Sequence, residues 1–286
     1  MSRRFTSVFL GLALVLALPA LGAEPEQPSP PRKWVEPRAT EILRQMSDRL
    51  VAASRFAFEA EETFDEIPDG EPRQQLTNVR RVGVQRPDRL AADATGDTRN
   101  RAVWYDGHTL TVLDKDHNSW AQVDAPATID GMLDMIAQRY QIEVPLADLV
   151  YANPYAVLAE GVTYGRYLGI HLAAGVRCYH LAFAQETIEW QIWIDAGSDP
   201  LPRKLAITYV NEPGEPQYVA TFRKWTFEPK FTDTIFHFEP PEGSKHMELK
   251  IGGGLGPAEG GRAAEPVPAA PARPAAPASR RPAGKR

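Results

Sequence analysis

A single cysteine, Cys178, occurs in 286 residues. No internal disulfide framework can form, and zinc sites built on several thiolates at fixed spacing are excluded. The six histidines, His108, His117, His171, His180, His237 and His246, are dispersed along the chain without the paired spacing on one element that marks a metal site, so neither metal nor cofactor is expected. Basic charge is scarce where a folded domain would be. The formal charge of −5 divides into +2 for residues 1–23, −11 for 24–250 and +4 for 251–286. A central segment that acidic has no basic footprint for phosphate recognition, and nucleic-acid binding is excluded. With 43% apolar residues the chain can nevertheless bury a core.

Long apolar runs are also missing. The longest, Val8–Leu18, is too short to span a membrane comfortably. Preceded by Arg3 and Arg4 and followed by Pro19 and the small residues up to Ala23, it has the layout of a cleavable secretory leader over 1–23. No cysteine follows it, so no lipid-modified terminus is available. A Pro-rich polar lead-in occupies 24–37. At the other end, residues 251–286 hold 7 Gly, 7 Pro and 10 Ala and no aromatic residue, a composition expected to remain a disordered basic tail. The mature chain, at −7, is expected in the periplasm as a monomer, with no transmembrane segment.

Residues 38–250 read as one domain. Ile42, Leu43, Met46 and Leu50 recur at helical spacing after Pro37, and the period then changes to two. Phe56 and Phe58 share one side of a strand, with Glu59 and Glu61 on the other. Val82 with Val84, Trp190 with Ile192 and Ile194, and Leu205 with Ile207 and Tyr209 repeat the pattern. Gln191, Asp195, Lys204 and Thr208 take the opposite positions. Asp106-Gly107 supplies a tight turn for a hairpin over Ala102–Leu113 that contains Trp104. Further strands are expected at Arg177–Ala184, Glu189–Asp195, Arg203–Val210, Tyr218–Phe227 and around Ile235–Phe238, joined by short turns as in an antiparallel meander. A helical insert interrupts them: Ile129, Met132, Leu133, Ile136 and Tyr140 form one stripe capped by Thr128 or Asp130, and Leu146–Tyr151, with Leu149, makes a shorter helix. The plain reading of that stripe is core; Met135 beside it suits a surface that repacks around an apolar partner.

Few residues suggest chemistry. Cys178 and His180 share a strand face and could be imagined as nucleophile and base, but no orienting partner or oxyanion motif accompanies them. No catalytic residue is assigned, and the chain is expected not to be an enzyme. The acidic run Glu59, Glu61, Glu62, Asp65, Glu66, Asp69 and Glu71 lacks calcium-loop spacing and reads as a solvated strand face and turn. Gly252–Gly256 has no following Gly-Lys-Ser/Thr and is no phosphate loop. Arg80 and Arg81 read as solvated strand positions, with contact to an anionic head group or partner as the alternative.

Several stretches together carry a family resemblance. They are Arg86-Pro87-Asp88-Arg89-Leu90, Trp104-Tyr105-Asp106-Gly107-His108-Thr109-Leu110, Thr128-Ile129-Asp130, Pro145-Leu146-Ala147-Asp148-Leu149, Gly161-Val162, Trp190-Gln191-Ile192-Trp193-Ile194 and Leu201-Pro202-Arg203-Lys204-Leu205. With the element order they resemble a family of periplasmic bacterial proteins of unknown function in the lipoprotein-carrier-like superfamily, which includes LolA, LolB and the sensor-regulator RseB. That resemblance implies an α+β fold, a strongly curved antiparallel half-barrel with helices covering its concave face. It also implies an apolar cavity for an acyl chain. The candidate cavity residues are Phe56, Phe58, Val82, Val84 and Trp104 from the first strands. Ile129, Met132, Leu133, Ile136 and Leu149 come from the helical insert, and Trp190, Ile192, Ile194, Leu205, Ile207 and Tyr209 from the later strands. The function expected is binding of a lipid, a lipoprotein acyl group or another apolar ligand; the alternative is an RseB-like protein that binds a polypeptide partner in the envelope.

Overall fold

A computed structural model describes residues 33–256, except 69, 99, 143 and 145. The expected leader, lead-in residues 24–32, the tail from 257 onward and Pro145 lie outside the described residues.

The chain opens with a two-residue strand β1 (Trp34–Val35) and the helix α1 (Pro37–Val51). Proline at the first helical position has no N–H to leave unpaired, and its fixed φ suits the turn. Ala39, Ile42, Leu43, Met46 and Leu50 then bury a single stripe. Six strands follow: β2 (Arg55–Glu66), β3 (Gln74–Gln85), β4 (Arg89–Gly96), β5 (Arg101–Tyr105), β6 (Thr109–Asp114) and β7 (Ser119–Asp124). Next come helix α2 (Ile129–Tyr140), a 3-10 turn at Ala147–Leu149 and helix α3 (Pro154–Leu158). Thr128 caps α2 by accepting from the Gly131 N–H at 3.1 Å, and Gln141 closes it in the left-handed conformation. The second run is β8 (Tyr164–Ala173), β9 (Val176–Ala184), β10 (Ile188–Asp195), β11 (Pro202–Tyr209) and β12 (Gln217–Phe227). Short strands β13 (Lys245–His246), β14 (Glu248–Leu249) and β15 (Leu255–Gly256) complete the described chain.

Thirteen strands form one open sheet in the order β1-β8-β9-β10-β11-β12-β2-β3-β4-β5-β6-β7-β13, while β14 and β15 pair separately. Every pairing from β8 through to β7 is antiparallel, whereas the two edge strands β1 and β13 pair parallel. The sheet is therefore mixed rather than wholly antiparallel. The reason is local: each edge segment is delivered from a distant part of the chain, not by a hairpin turn. The β12·β2 pairing joins the two meanders.

Alternation works as the sequence implies. Phe56, Phe58 and Ala60 point to the face that shares one core with the stripes of α1 and α2; here this is the inner face. A register shift near Phe222/Lys224 keeps both Phe222 and Trp225 on it, packed against Phe58 at 5.7 and 5.0 Å. Around Asp106 the two-residue loop is Gly107-His108, because Tyr105 pairs with Leu110. Gly107 takes φ +91°, and the Asp106 carboxylate accepts from the N–H groups of His108 and Thr109.

Two expectations change, and two strands are added. Ile235–Phe238 is not a strand: Asp233–Phe236 is a 3-10 turn in a segment that crosses the outer face, where Phe238 packs between Trp104 and Trp120 at 5.1 Å each. The strands β4 and β8 had no clear alternating signal, β4 because alanines occupy both of its faces and β8 because Gly165, Gly169 and a bulge interrupt it. Finally, Ile251–Gly256 is structured as a 3-10 turn and β15, although its composition matches the tail.

Candidate functional site

The antiparallel register sorts inner-face residues of β2 to β6 into rows running across the strands, because directly opposed residues share a face. Phe56, Val84, Leu90, Tyr105 and Leu110 form one row, all buried. Two residues along lies Phe58, Val82, Ala92, Val103 and Val112. The third row reads Ala60, Arg80, Ala94, Arg101 and Asp114. In the first row Phe56, Val84 and Tyr105 are filled core, while Leu90 and Leu110 border a cavity. Over the second and third rows, where Ala92 and Ala94 stand between larger neighbours, the cavity has a volume of about 500 Å³.

Its roof is Met132, Leu133 and Ile136 of α2, and one wall is Ile142, Val144, Leu146, Ala147 and Val150 from the connection that follows. Leu249 and Gly253 close another side. Gly253 is buried with φ +76°, and an added Cβ would stand 3.4 Å from Ile142, so a glycine the sequence assigns to the tail is part of the wall. The lining is apolar except for Glu66, Asn78, Arg80, Thr98 and Arg101. Asn78 and Thr98 bond to each other at 2.7 Å.

Arg80 and Glu62 correct the reading of both as solvated. Glu62 lies on the inner face, where its carboxylate accepts from Arg80 Nε at 2.5 Å and from the Tyr218 hydroxyl at 2.7 Å. Glu59 and Glu61 point outward and pair with Arg81 and Arg223. The acidic run therefore splits between faces, as strand alternation requires. Burial opposes the charge on Arg80, but the hydrogen bond and charge of Glu62 more than offset this and hold the guanidinium above its ordinary value. Burial, reinforced by the Glu62 charge, pushes the Tyr218 hydroxyl well up, so it serves as a donor.

Of the residues expected to line a cavity, Phe58, Val82, Met132, Leu133 and Ile136 do so. Phe56, Val84, Ile129, Leu149, Trp190, Ile192, Ile194 and Leu205 are instead buried in the contiguous core, and Ile207 and Tyr209 pack against it. Trp104 belongs to the opposite face, since its neighbour Val103 is the one that points inward. There it borders a second groove of about 490 Å³ beneath Phe231 and Ile235. Among the lining positions that alternation did not single out are Ala92 and Ala94. Their signal is the small-residue run Ala91-Ala92-Asp93-Ala94 beside a strand of larger residues, and it acquires meaning only through the register.

Cys178 and His180 lie on the outer face of β9. Burial and the nearby Asp195 charge push the Cys178 thiol up to about 11, which makes thiolate scarce at neutral pH. His180 stacks on Trp193 with ring centroids 4.0 Å apart and contacts Gln191 at 2.9 Å. Strand pairing also brings His171 within 2.8 Å of it, so two histidines that are dispersed in sequence meet in the sheet. Among the described residues no helix is long and apolar enough to cross a membrane.

A family profile described as "Predicted periplasmic protein (DUF2092)" matches residues 39–250. The chain belongs to this family and is a periplasmic protein. No match was found among curated proteins. Similar solved structures include the lipoprotein LppX of Mycobacterium tuberculosis, with 17% identity over 69% of this chain and 100% of that one and a TM-score of 0.45. MucB is similar at 15% identity, over 74% of this chain and 66% of that one, with a TM-score of 0.42; it is also seen in complex with MucA of Pseudomonas aeruginosa. A LolA superfamily protein of Nitrosomonas europaea has 12% identity over 70% and 97% of the two chains and a TM-score of 0.34. This last one bears the name of the superfamily that the sequence resembles. At these TM-scores they carry no argument about what this chain binds.

Proposed function

We propose that this member of the family is a non-enzymatic periplasmic binding protein that holds a lipid, an acyl group or another apolar ligand between the inner sheet face and α2. In this reading the sheet is a half-barrel, and the helical layer is a cover over its concave side. The observation that supports it is the cavity of about 500 Å³ between the second and third inner rows and the helix, a volume in the range of sites for single small ligands. Apolar burial supplies the affinity. At about 0.8 kcal/mol per methylene, a buried chain of about 14 methylenes gains roughly 11 kcal/mol. Association costs of about 4 kcal/mol or more leave a Kd on the order of 10 μM.

Native mass spectrometry and lipid extraction of protein purified from the envelope test this reading. A co-purifying lipid, or uptake of a fluorescent fatty acid, is expected. Ala92→Phe, which places a ring in the cavity, is expected to abolish uptake. Protein that is always empty and takes up no fatty acid would refute it.

A second reading, a regulatory or structural protein that binds a polypeptide, is favoured by the edge of β8, most of which has no strand partner among the described residues. Among the described residues that strand pairs with β1 at Tyr164 and Gly165, and Leu172 and Ile170 beyond them are 70% and 43% exposed. An extended segment could pair with such an edge. Envelope crosslinking that captures one stoichiometric partner, unaffected by Ala92→Phe, would favour this reading over ligand carriage.

A further inference from the structure

We propose that His171 and His180 form a binding site for a divalent transition-metal ion, with copper(II) the best fit, on the outer face of the sheet at β8 and β9. The site lies on the other side of the sheet from the cavity under α2 and does not depend on the apolar-ligand reading.

The pair is a product of register. Along the chain the two histidines are nine residues apart, with no metal-site spacing. In the sheet His180 is opposite Gly169 and His171 is opposite Cys178, so the two imidazoles stand diagonally on one face of neighbouring strands. Gly169 has no side chain to separate them, and Nδ1 of His171 lies 2.8 Å from Nδ1 of His180. An added Cβ at Gly169 would meet nothing within 4 Å, so the space beside the pair is open. Two bare ring nitrogens would repel at this distance. The contact therefore holds either a proton or a metal ion.

His180 is prepared as a ligand. Its Nε2 faces the Gln191 Oε1 acceptor at 2.9 Å, so Nε2 carries the hydrogen and Nδ1 presents its lone pair to His171. An outer hydrogen bond of this kind fixes the tautomer and orientation of metal-binding histidines. The ring is 8% exposed and stacked on Trp193 at 4.0 Å, which holds it in place. Burial, with the nearby His171 and Lys204 charges, keeps His180 below its ordinary value despite the Gln191 bond, and so in the neutral form that binds metal at pH 7. Lys204 itself stands beyond Trp193 in the same row, on the side away from β8.

Geometry selects the ion. Among the described residues no third His, Cys, Asp or Glu gathers with the pair, and the Cys178 thiol bonds instead to the Val176 carbonyl at 3.4 Å. The site is thus a two-imidazole chelate whose other positions are left to water. Metal–nitrogen bonds of about 2.0 Å set at a right angle place their nitrogens about 2.8 Å apart, whereas a tetrahedral centre needs about 3.3 Å. The smaller separation is the one present here. Right-angled nitrogen ligands belong to the tetragonal geometry of Cu(II) and Ni(II), and Cu(II) stands highest in affinity. His171 is exposed and has room to turn its ring until both lone pairs meet at one centre.

Calorimetric titration of the untagged mature protein with Cu(II), Ni(II) and Zn(II) tests the site. One Cu(II) per chain is expected, bound more tightly than either other ion, with couplings to two imidazole nitrogens in its paramagnetic resonance spectrum. Bound Cu(II) should quench Trp193, about one-sixth of the emission of six tryptophans, and Zn(II) should not. His171→Asn, at an exposed position, is expected to weaken Cu(II) binding by about tenfold or more and to erase the quenching. Gln191→Ala, which touches no metal ligand position but releases the His180 tautomer, should weaken it by about tenfold. His117→Asn, an exposed histidine beside Asp114, is the control and should change neither readout. Cu(II) binding that survives His171→Asn, or that His117→Asn weakens as much, would overturn the site. So would a titration that shows no stoichiometric Cu(II) binding.

Discussion

Glu62→Gln tests whether the inner-face acid is a structural anchor or merely one more strand carboxylate. Its side chain is 3% exposed, and one oxygen receives both the 2.5 Å bond from Arg80 and the 2.7 Å bond from Tyr218. The amide preserves shape and an acceptor but removes the charge. Hydrogen bonds to charged groups contribute about 1.5–3 kcal/mol against about 0.5–1.5 for neutral ones. Two bonds therefore lose roughly 2–3 kcal/mol, and the 25% exposure of Arg80 lowers the expectation to about 2 kcal/mol. With a urea m-value of about 2 kcal/mol/M, the midpoint should fall by about 1 M. Glu61→Gln is the internal control: one residue away, it faces outward toward Arg223 at 35% exposure and should cost under about 0.5 kcal/mol. Adding Tyr218→Phe to Glu62→Gln should cost less than the two changes separately, because they share one interaction. Equal urea midpoints for the Glu61 and Glu62 variants would refute the anchor.

Four further outcomes are expected. Burial first, then the nearby His171 and Lys204 charges, depress His180 below its ordinary value despite the Gln191 bond. The unfolded chain thus binds more protons between the folded pKa and about 6.5, and stability should be complete above that window and fall as pH drops through it. Urea midpoints at pH 7.5 and 5 measure this, and the change should be smaller in His180→Gln. Cys178, buried and with its thiol raised, should resist maleimide at pH 7.5 until urea unfolds the chain; rapid labelling of native protein would contradict its burial. Phe238→Ala should cost about 1–2 kcal/mol and red-shift tryptophan emission, since that ring packs against Trp104 and Trp120. Gly96→Ala should destabilise by more than about 2 kcal/mol, as its Cβ would meet the Thr77 carbonyl at 2.3 Å; a thermal melt checks this.

Much of the fold was legible because its periods are strong. Helix α1 and α2 announced themselves through Ile42, Met46 and Leu50 and through Ile129, Met132 and Ile136, each set a single stripe ahead of a polar face. The dry faces of β2 and β10 followed from Phe56 and Phe58 and from Trp190, Ile192 and Ile194. Elements whose residues are small or interrupted by glycine, β4 and β8, gave no such signal. Edge strands of two residues offer too short a pattern to read.

The sequence by itself determined which residues are apolar on one side of each element, and hence that a one-sided sheet with helices would form. Alternation, however, says only that two residues share a face. It does not say which strand lies opposite, or how far a side chain must reach. The antiparallel register decided that Ala92 and Ala94 stand in adjacent rows under α2 and leave a space, while the equally apolar Ile192 and Leu205 meet neighbours that fill theirs. It also turned Glu62 inward to Arg80 while its neighbour Glu61 faces water. A cavity is a difference between distances and side-chain lengths across several strands. Only tertiary pairing sets those distances.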